Sequence, residues 1–192
     1  MALLAQRKQA NGRVKLAPIA DGDTLYDGRG DRVAGDKIKV AFKANCNCFV
    51  YVIGIDATGY VAQIFPDPDL PQLKNPVRKG KQYMLPKGDD WWGLDEYRGV
   101  ETIYFVATFR PRPDIENSIA RLARQPRQVA VQNYVPVSQA AVVPQPRGLV
   151  KVTDAKPLNI DAGGGAQQAV TPTSFLASAA GADLVITRWF NH

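Results

Sequence analysis

The amino-acid sequence predicts a mainly β protein: an immunoglobulin-like antiparallel β-sandwich with one short helix and a C-terminal extension. Short runs of β-branched and aromatic residues alternate with clusters of Gly, Pro and Asp, which is typical of a chain built from short strands. A single later segment has the spacing of an amphipathic helix. With 192 residues, 45% of them hydrophobic, the chain is long enough to bury one substantial core.

The first strands are predicted from period-two alternation. In GDKIKVAFKA, Ile38, Val40 and Phe42 alternate with lysines, so one face of this strand is predicted to be apolar and the other basic. The next run, CFVYVIGID, is apolar on both faces, which favours a central strand covered on both sides. The tetrapeptide DATG predicts a tight turn into a further strand, YVAQIF.

The remaining elements follow from local composition. KQYMLP and ETIYFVATF predict two more strands. In PDIENSIARLAR, Ile115, Ile119 and Leu122 lie on one helical stripe, and Pro113 is placed to begin the helix. The chain from 126 to 149 is interpreted as extended chain over the domain, NIDAGGGAQQAVTPTSF as a mobile loop, and DLVITRWF as a closing strand joined by GLVKV that buries Trp189 or Phe190.

These elements divide the chain into three parts. Residues 1–32 are predicted to form an N-terminal extended segment and loop. Residues 33–112 form the sandwich core. Residues 113–192 add the helix, a proline-rich extended segment and a returning C-terminal strand to the same domain.

Charge and hydropathy exclude several classes of protein. The formal charge is +6 and the pI about 9.4, but Lys and Arg are interspersed with Asp and Glu, which favours a diffuse basic surface over nucleic-acid binding. No apolar run reaches eighteen residues, so no transmembrane helix is predicted. The start, MALLAQRKQANG, is too short in its apolar part for a complete signal peptide; it fits either a chain whose export signal was trimmed or a true start.

Two cysteines, Cys46 and Cys48, are separated by one residue. On an extended strand both thiols would face one side, and a bridge between them would be strained. Two small buried thiols are the favoured interpretation, and a strained redox pair or a cross-chain disulfide are the alternatives. The only other soft metal ligand is His192, so neither a zinc site nor any cofactor is predicted.

Catalysis is not predicted, because the single histidine is the last residue of the sequence and is expected to fray. The loop KGDDWWGLDEYRG is the preferred binding candidate, since adjacent Trp91 and Trp92 cannot both face inward from an extended chain, and Tyr97 lies close by. The favoured alternative is structural: one tryptophan caps the open end of the sandwich core and the other packs against a loop. Asp67 and Asp69, among prolines after YVAQIF, are interpreted first as an exit from strand pairing and second as a binding site.

A weak calcium candidate lies in DGDTLYDGRGD. It offers Asp21, Asp23, Asp27 and Asp31, and calcium prefers several carboxylate oxygens. The spacing does not fit the twelve-residue EF-hand loop, so no metal site is assigned with these residues.

The order of short motifs resembles the bacterial domain-of-unknown-function family 4384. A Gly-Asp pair precedes the first strand, a Tyr-bearing strand ends in an Asp-x-x-Gly turn and a Phe-Pro exit, an Asn begins the next element, and Gly-x-Glu-x-Ile opens the last strand. These residues are Gly35, Asp36, Tyr51, Asp56, Gly59, Phe65, Pro66, Asn75, Gly99, Glu101 and Ile103. The resemblance implies a β-sandwich-like accessory domain without established catalytic residues, met in exported lipoproteins and beside caspase-like peptidase domains.

The function expected from residues and resemblance together is a non-catalytic binding or assembly module. It would act outside the cytoplasm, in the periplasm or at the cell surface, through protein–protein contacts at the bacterial cell envelope. The alternatives are a structural subunit of a self-associating surface assembly and a regulatory domain of a larger peptidase-containing chain.

Overall fold

The structure is a computed structural model. It describes residues 1–8, 13–31, 33–67, 69–70, 72–127, 149–152, 157–161, 167–171, 174–177 and 183–192. The strands are β1 (Ala2–Lys8), β2 (Val14–Pro18), β3 (Lys37–Lys43), β4 (Phe49–Ile55), β5 (Val61–Phe65), β6 (Gln82–Leu85), β7 (Trp92–Gly93), β8 (Val100–Thr108), β9 (Leu149–Val152), β10 (Leu158–Asp161), β11 (Gln167–Val170), β12 (Ser174–Ala177) and β13 (Leu184–Asn191). One helix, α1 (Pro113–Leu122), follows β8, and a 3-10 turn covers Gly28–Gly30.

Two antiparallel sheets enclose the main core, which confirms the predicted β-sandwich. The first sheet has the order β2-β1-β3-β6, with β7 also paired to β3, and the second has the order β13-β8-β4-β5. Aromatic rings meet between the sheets. The ring of Phe42 stacks on Tyr83 at a centroid distance of 4.9 Å and meets Phe65 and Phe105 edge-on at 5.4 and 5.3 Å. This T-shaped and stacked packing adds to the burial of apolar area in the core.

The fully apolar strand β4 is central, as predicted. It pairs with β8 on one side and β5 on the other. Val50 and Val52 belong to the core between the sheets, whereas Tyr51 and Ile53 face the opposite side and are also buried.

Helix α1 covers the outer face of the second sheet. Its apolar stripe carries Ile115 and Ile119, both 1% exposed, and packs against Tyr51 and Ile53. The predicted stripe and the predicted start at Pro113 are confirmed. Because this face is covered, β4 requires apolar residues on both sides.

A hairpin of β10 and β11 covers the outer face of the first sheet. Leu158, Ile160 and Val170 pack there against Leu4 and Ala41. The predicted mobile loop is therefore wrong where it overlaps β10 and β11, because alternate apolar residues in these short strands have a surface to bury against. Its glycine-rich middle, 162–166, lies outside the described residues.

Burial on this side of the sheet overturns the expectation of a basic outer face on β3. Lys39 is 1% exposed and Ala41 is 0% exposed, whereas Lys43 at the end of the strand is exposed. The Lys39 ammonium donates to the Gly88 carbonyl oxygen at 2.6 Å and lies 4.8 Å from the centre of the Trp91 ring. A buried lysine needs such partners, since an isolated buried charge is very costly.

The N-terminal segment is part of the sandwich. Strand β1 lies between β2 and β3, and its residues from Ala2 to Ala5 are buried. The part predicted as an N-terminal extended segment thus supplies β1 and β2 to the first sheet.

The C-terminal segment returns to the second sheet, as predicted. Strand β13 pairs with β8, Phe190 is fully buried and Trp189 is partly exposed. The expected association of GLVKV with this strand is wrong: β9 pairs with β12 in a separate two-stranded sheet. Most of the proline-rich stretch, 128–148, lies outside the described residues.

Cys46 and Cys48 form a disulfide, so the favoured interpretation of two free thiols is wrong. The chain bends between them instead of running extended, and their Cα atoms are 5.5 Å apart, within the range for a disulfide. In the part of the chain that is described, no helix is long and apolar enough to cross a membrane.

Candidate functional site

Trp91 and Trp92, which the sequence places in the preferred binding loop, pack on opposite sides of the chain. Trp92 lies in β7 opposite Ile38 and packs against the core between the sheets. Trp91 packs on the other side, against the cluster beneath the hairpin and beside Lys39. Adjacent side chains of an extended chain point to opposite faces, and here both faces are covered, so both tryptophans are half-buried.

Asp67 and Asp69 lie in the loop after β5. The Asp67 carboxylate accepts a hydrogen bond from the Asp69 backbone N–H at 2.9 Å, and the Asp67 N–H donates to the Leu73 carbonyl at 2.9 Å. The Asp67 side chain thus holds the turn. The exposed Asp69 carboxylate is not brought near the tryptophan loop by any contact described for it.

The four aspartates of the calcium candidate each have a protein partner of their own. Asp21 pairs with Arg188, Asp23 with Arg7 and Asp27 with Arg98, while Asp31 accepts from the Val33 N–H. Among the described residues, no group of three or more His, Cys, Asp or Glu side chains could hold a metal ion. The geometry does not support a calcium site there.

A different cluster lies at the end of the sandwich where β4 turns into β5. We call Asp56, Tyr60, Asp95 and Tyr97 the cation cage, because together they surround the guanidinium group of Arg127. The guanidinium carbon lies 4.7 Å from the centre of the Tyr60 ring and 4.6 Å from that of Tyr97. Its Nη1 is 2.9 Å from Asp95 Oδ2, and its Nη2 is 3.4 Å from Asp56 Oδ2. Aromatic faces and carboxylates are the two kinds of group that attract a guanidinium most strongly.

The first half of the cage is the predicted DATG turn. Asp56 Oδ1 accepts hydrogen bonds from the Thr58 N–H at 2.8 Å, the Thr58 hydroxyl at 2.6 Å and the Tyr60 N–H at 2.9 Å. Gly59 has φ +78°, a left-handed conformation that favours glycine. These bonds fix the carboxylate and leave Oδ2 facing Arg127.

The second half repeats this arrangement in the loop after β7. Asp95 Oδ1 accepts from the Tyr97 N–H at 3.1 Å, while Oδ2 faces Arg127. In each half, one aspartate oxygen closes a turn and the other faces the cation, and an aromatic ring follows within a few residues. Such local aspartate turns are a common property of Asp in loops.

Close packing joins the two halves. Gly99 has φ +146°, and a Cβ atom at this position would collide with the Cβ of Ala57 in the first turn. The backbone of Gly99 also exchanges two hydrogen bonds with His192, at 2.9 and 3.0 Å. Only glycine allows the two loops to approach this closely.

A buried histidine–carboxylate pair lies behind the cage. His192 Nε2 is 3.0 Å from Glu101 Oε1, and the imidazole is only 1% exposed. Burial raises the pKa of Glu101, against the opposing effect of the His192 hydrogen bond, and the carboxylates of Asp56 and Asp95 raise it further. The expectation that His192 frays is therefore wrong: both its backbone and its side chain are held.

The sequence pointed to part of this site. Tyr97 was among the binding candidates, and Asp56, Gly59, Gly99 and Glu101 carry the family resemblance. Tyr60, Asp95 and Arg127 are not among the site residues that the sequence predicts. A usable signal was the recurrence of an aspartate followed closely by a tyrosine in two loops, Asp56 to Tyr60 and Asp95 to Tyr97. No comparable signal marks Arg127, one of many arginines.

The fold and the cage define a mainly β domain of two packed sheets that holds a cationic group at one end. Part of the chain matches a known family. Residues 33–111 match the family described as domain of unknown function (DUF4384). This confirms the resemblance over a segment that includes all four cage residues but covers less than half of the 192 residues and excludes Arg127. No curated protein and no solved structure matches the chain.

Proposed function

We propose that this protein is a non-catalytic binding module that contacts a partner protein outside the cytoplasm, at the bacterial cell envelope, through the end of the sandwich that carries the cation cage. The observation that carries the proposal is the convergence of the resemblance motifs on this end. Asp56 and Gly59 come from one loop and Gly99 and Glu101 from another, and the packing of Gly99 on Ala57 joins the two. The result is a cluster of tyrosines and carboxylates in which each aspartate is held by hydrogen bonds within its own turn.

The enclosure of the only imidazole supports a binding role over a catalytic one. A general base must reach the proton that it removes, and a side chain with 1% exposure cannot meet a substrate without a rearrangement. The carboxylates of the cage are likewise held, each with one oxygen in a turn and the other beside Arg127.

The disulfide supports the proposed location outside the cytoplasm. Disulfides persist in the periplasm and at the cell surface and are rare in a reducing cytoplasm. The bridge between Cys46 and Cys48 fits the exported proteins in which the resembled family is met.

Site-specific photo-cross-linking in the bacterial cells that naturally make the protein tests the proposal. A photoreactive phenylalanine analogue replaces Glu96, which is exposed between Asp95 and Tyr97. The matched control carries it at Phe109, which is 58% exposed just beyond the opposite end of β8. We expect one adduct of defined mass from position 96, none from position 109, and loss of the adduct when Asp95→Ala is added. Equal labelling at both positions, or no adduct at 96, would overturn the proposal.

Self-association is the second candidate function, and one observation favours it. In the described residues, β5 pairs with β4 alone, which makes it an edge strand of the second sheet. Exposed strand edges can pair with a second chain. A cross-linked adduct of twice the chain mass, together with a light-scattering mass that rises with concentration, would favour this assembly over a separate partner. The regulatory-domain alternative rests on the family resemblance alone.

A further inference from the structure

We infer that the cation cage is a receptor for an arginine side chain of the partner protein, and that Arg127 occupies it in the absence of that partner. This inference rests on the proposed function, because it names the chemistry by which the same end of the sandwich recognises its partner. The ligand class is a guanidinium group on an exposed peptide segment.

The cage is built without the help of Arg127. The hydrogen bonds to Asp56 Oδ1 come from its own turn, and the bond to Asp95 Oδ1 comes from Tyr97. Gly99 locks the two turns together by its contact with Ala57. A site whose groups are already held in place binds its ligand with little loss of conformational entropy.

One carboxylate oxygen requires a cation. The Asp56 side chain is 9% exposed, and its buried Oδ2 has no hydrogen-bond partner among the described residues. The atom that faces it is Arg127 Nη2, at 3.4 Å, beyond a good charge-assisted hydrogen bond. A buried carboxylate oxygen with no donor is costly, so the cage favours a cation placed closer than Arg127 is placed.

Charge and shape select guanidinium. Asp56 and Asp95 present two negative charges to one positive group, and both tyrosine rings lie within 4.7 Å of the guanidinium carbon. A planar guanidinium can stack on a ring while its edge donates to carboxylates, whereas a compact ammonium cannot do both as well.

Cage and occupant come from different parts of the chain. All four cage residues lie inside the segment that matches the family, whereas Arg127 lies outside it. Arg127 also follows the end of α1 at Leu122, beyond Pro126, so its position depends less on the regular elements of the fold. These facts are expected of a receptor in the domain and an occupant supplied by an adjoining segment.

Emptying the cage tests the inference. The full chain carrying Arg127→Ala is titrated with a blocked arginine tripeptide, and the ring signals of Tyr60 and Tyr97 are followed by NMR. The matched control is Arg121→Ala, which removes an exposed helix arginine that has no described contact with the cage. We expect binding to Arg127→Ala to be about tenfold tighter or more than to the control, because a tethered occupant competes at millimolar effective concentration.

Two further titrations test whether the cage recognises the charge and the shape of the guanidinium group. A citrulline tripeptide, which has the same shape but no charge, should bind at least about tenfold more weakly, and a lysine tripeptide should fall between the two. Adding Asp95→Asn to Arg127→Ala should abolish binding. The inference is overturned if citrulline binds as well as arginine, or if arginine produces no shift in the emptied cage.

The test remains decisive if Arg127→Ala does not fold. Excess arginine peptide added to the unmodified protein should displace Arg127 and shift the same tyrosine signals, and the absence of any shift at tens of millimolar peptide would overturn the inference. Failure here is distinguishable from failure of the proposed function. A cross-link from position 96 without arginine binding means a partner recognised by other chemistry, and arginine binding without a cross-link means a real receptor but a wrong function.

Discussion

The two outer faces of the sandwich are covered in different ways. Helix α1 covers the second sheet with a continuous apolar stripe, and Arg112 at its start pairs with Asp183 just before β13. Arg112 also pairs with Asp114 in the first turn of the helix. The β10–β11 hairpin covers the first sheet with three apolar side chains, and its described attachments to the sheet are amide groups. Gln82 donates to the Asn159 carbonyl and Gln168 to the Leu16 carbonyl, both at 3.0 Å.

This difference explains why the sequence predicts the helix that covers one face but not the hairpin that covers the other. A ten-residue helix repeats its apolar residues at 3.6-residue spacing, which is a strong signal. A hairpin of two four-residue strands offers only one or two alternations, here next to a glycine-rich stretch. The sequence of β3 does not predict that its outer face is covered either, because a lysine such as Lys39 is expected to be exposed.

The largest effect that we predict concerns that lysine. Lys39→Glu should lower the free energy of unfolding by roughly 3–5 kcal/mol, because it places a carboxylate beside the Gly88 carbonyl oxygen and the face of the Trp91 ring. Chemical denaturation followed by tryptophan fluorescence measures the change.

The control lies on the same face of the same strand. Lys43→Glu changes charge by the same amount at an exposed position and should shift stability by no more than about 0.5 kcal/mol. If both substitutions cost equally little, Lys39 is not buried in solution, and the covered face at this position of β3 is wrong.

The second prediction compares the covers directly. Ile119→Ala in the helix and Ile160→Ala in the hairpin each remove a side chain that is 1% or less exposed, and each should cost about 3 kcal/mol in global unfolding. Arg121→Ala and Asn159→Ala, exposed positions on the same two elements, should cost little. A normal global stability for Ile160→Ala, with faster amide exchange confined to β10 and β11, would mean that the hairpin opens on its own.

Much of the central fold could be predicted because its signals are local. The strands from β3 to β5, β6 and β8, the helix and the closing strand all follow from short-range alternation or stripes. The sequence does not predict strand β1, because its residues ALLAQRK lack the alternation of apolar and polar residues that is typical of a strand. Its place between β2 and β3 depends on long-range pairing, which local composition does not encode.

The candidate site shows the same limit more sharply. The adjacency of Trp91 and Trp92 predicts only that at least one of them is exposed or packs across a loop, whereas segments that are distant in the sequence bury both in part. Asp56 and Asp95 are separated by 39 positions in the sequence and meet only because Gly99 lets two loops touch. A cage made of distant turns becomes visible only when the topology is known.

The third prediction tests how tightly the helix is attached. The Tyr51 hydroxyl, fully buried, accepts from the Arg112 N–H at 2.9 Å and donates to Glu116 at 3.1 Å. Tyr51→Phe leaves that N–H without its acceptor and should cost about 1.5 kcal/mol. Gln168→Ala, the half-buried counterpart on the hairpin, should cost only about 0.5 kcal/mol, since water can replace its contact. Equal costs in thermal unfolding would contradict the stronger attachment of the helix.

The smallest effect is a difference in acid sensitivity. The hydrogen bond from the Arg112 side chain, together with the charge of that side chain, lowers the pKa of Asp114 below its ordinary value of 3.8. A lowered pKa means that the pair contributes stability above pH 3.8, and that this contribution is lost as the pH falls through the lower folded value. Since Asp114 is 61% exposed, the loss should be only a few tenths of a kcal/mol.

Amide exchange at pH 5 and pH 2.5 separates the two covers. From pH 5 to pH 2.5, the protection of the α1 backbone amides against exchange should fall slightly more than that of the β10 and β11 amides. The reason is that the side-chain amide groups that attach the hairpin do not titrate in this range. Asp114→Asn should start with weaker helix protection at pH 5 and lose less on acidification. If acid weakens the hairpin as much as the helix in both proteins, the difference between ionic and amide attachment has no energetic consequence, and only the apolar contacts distinguish the two covers.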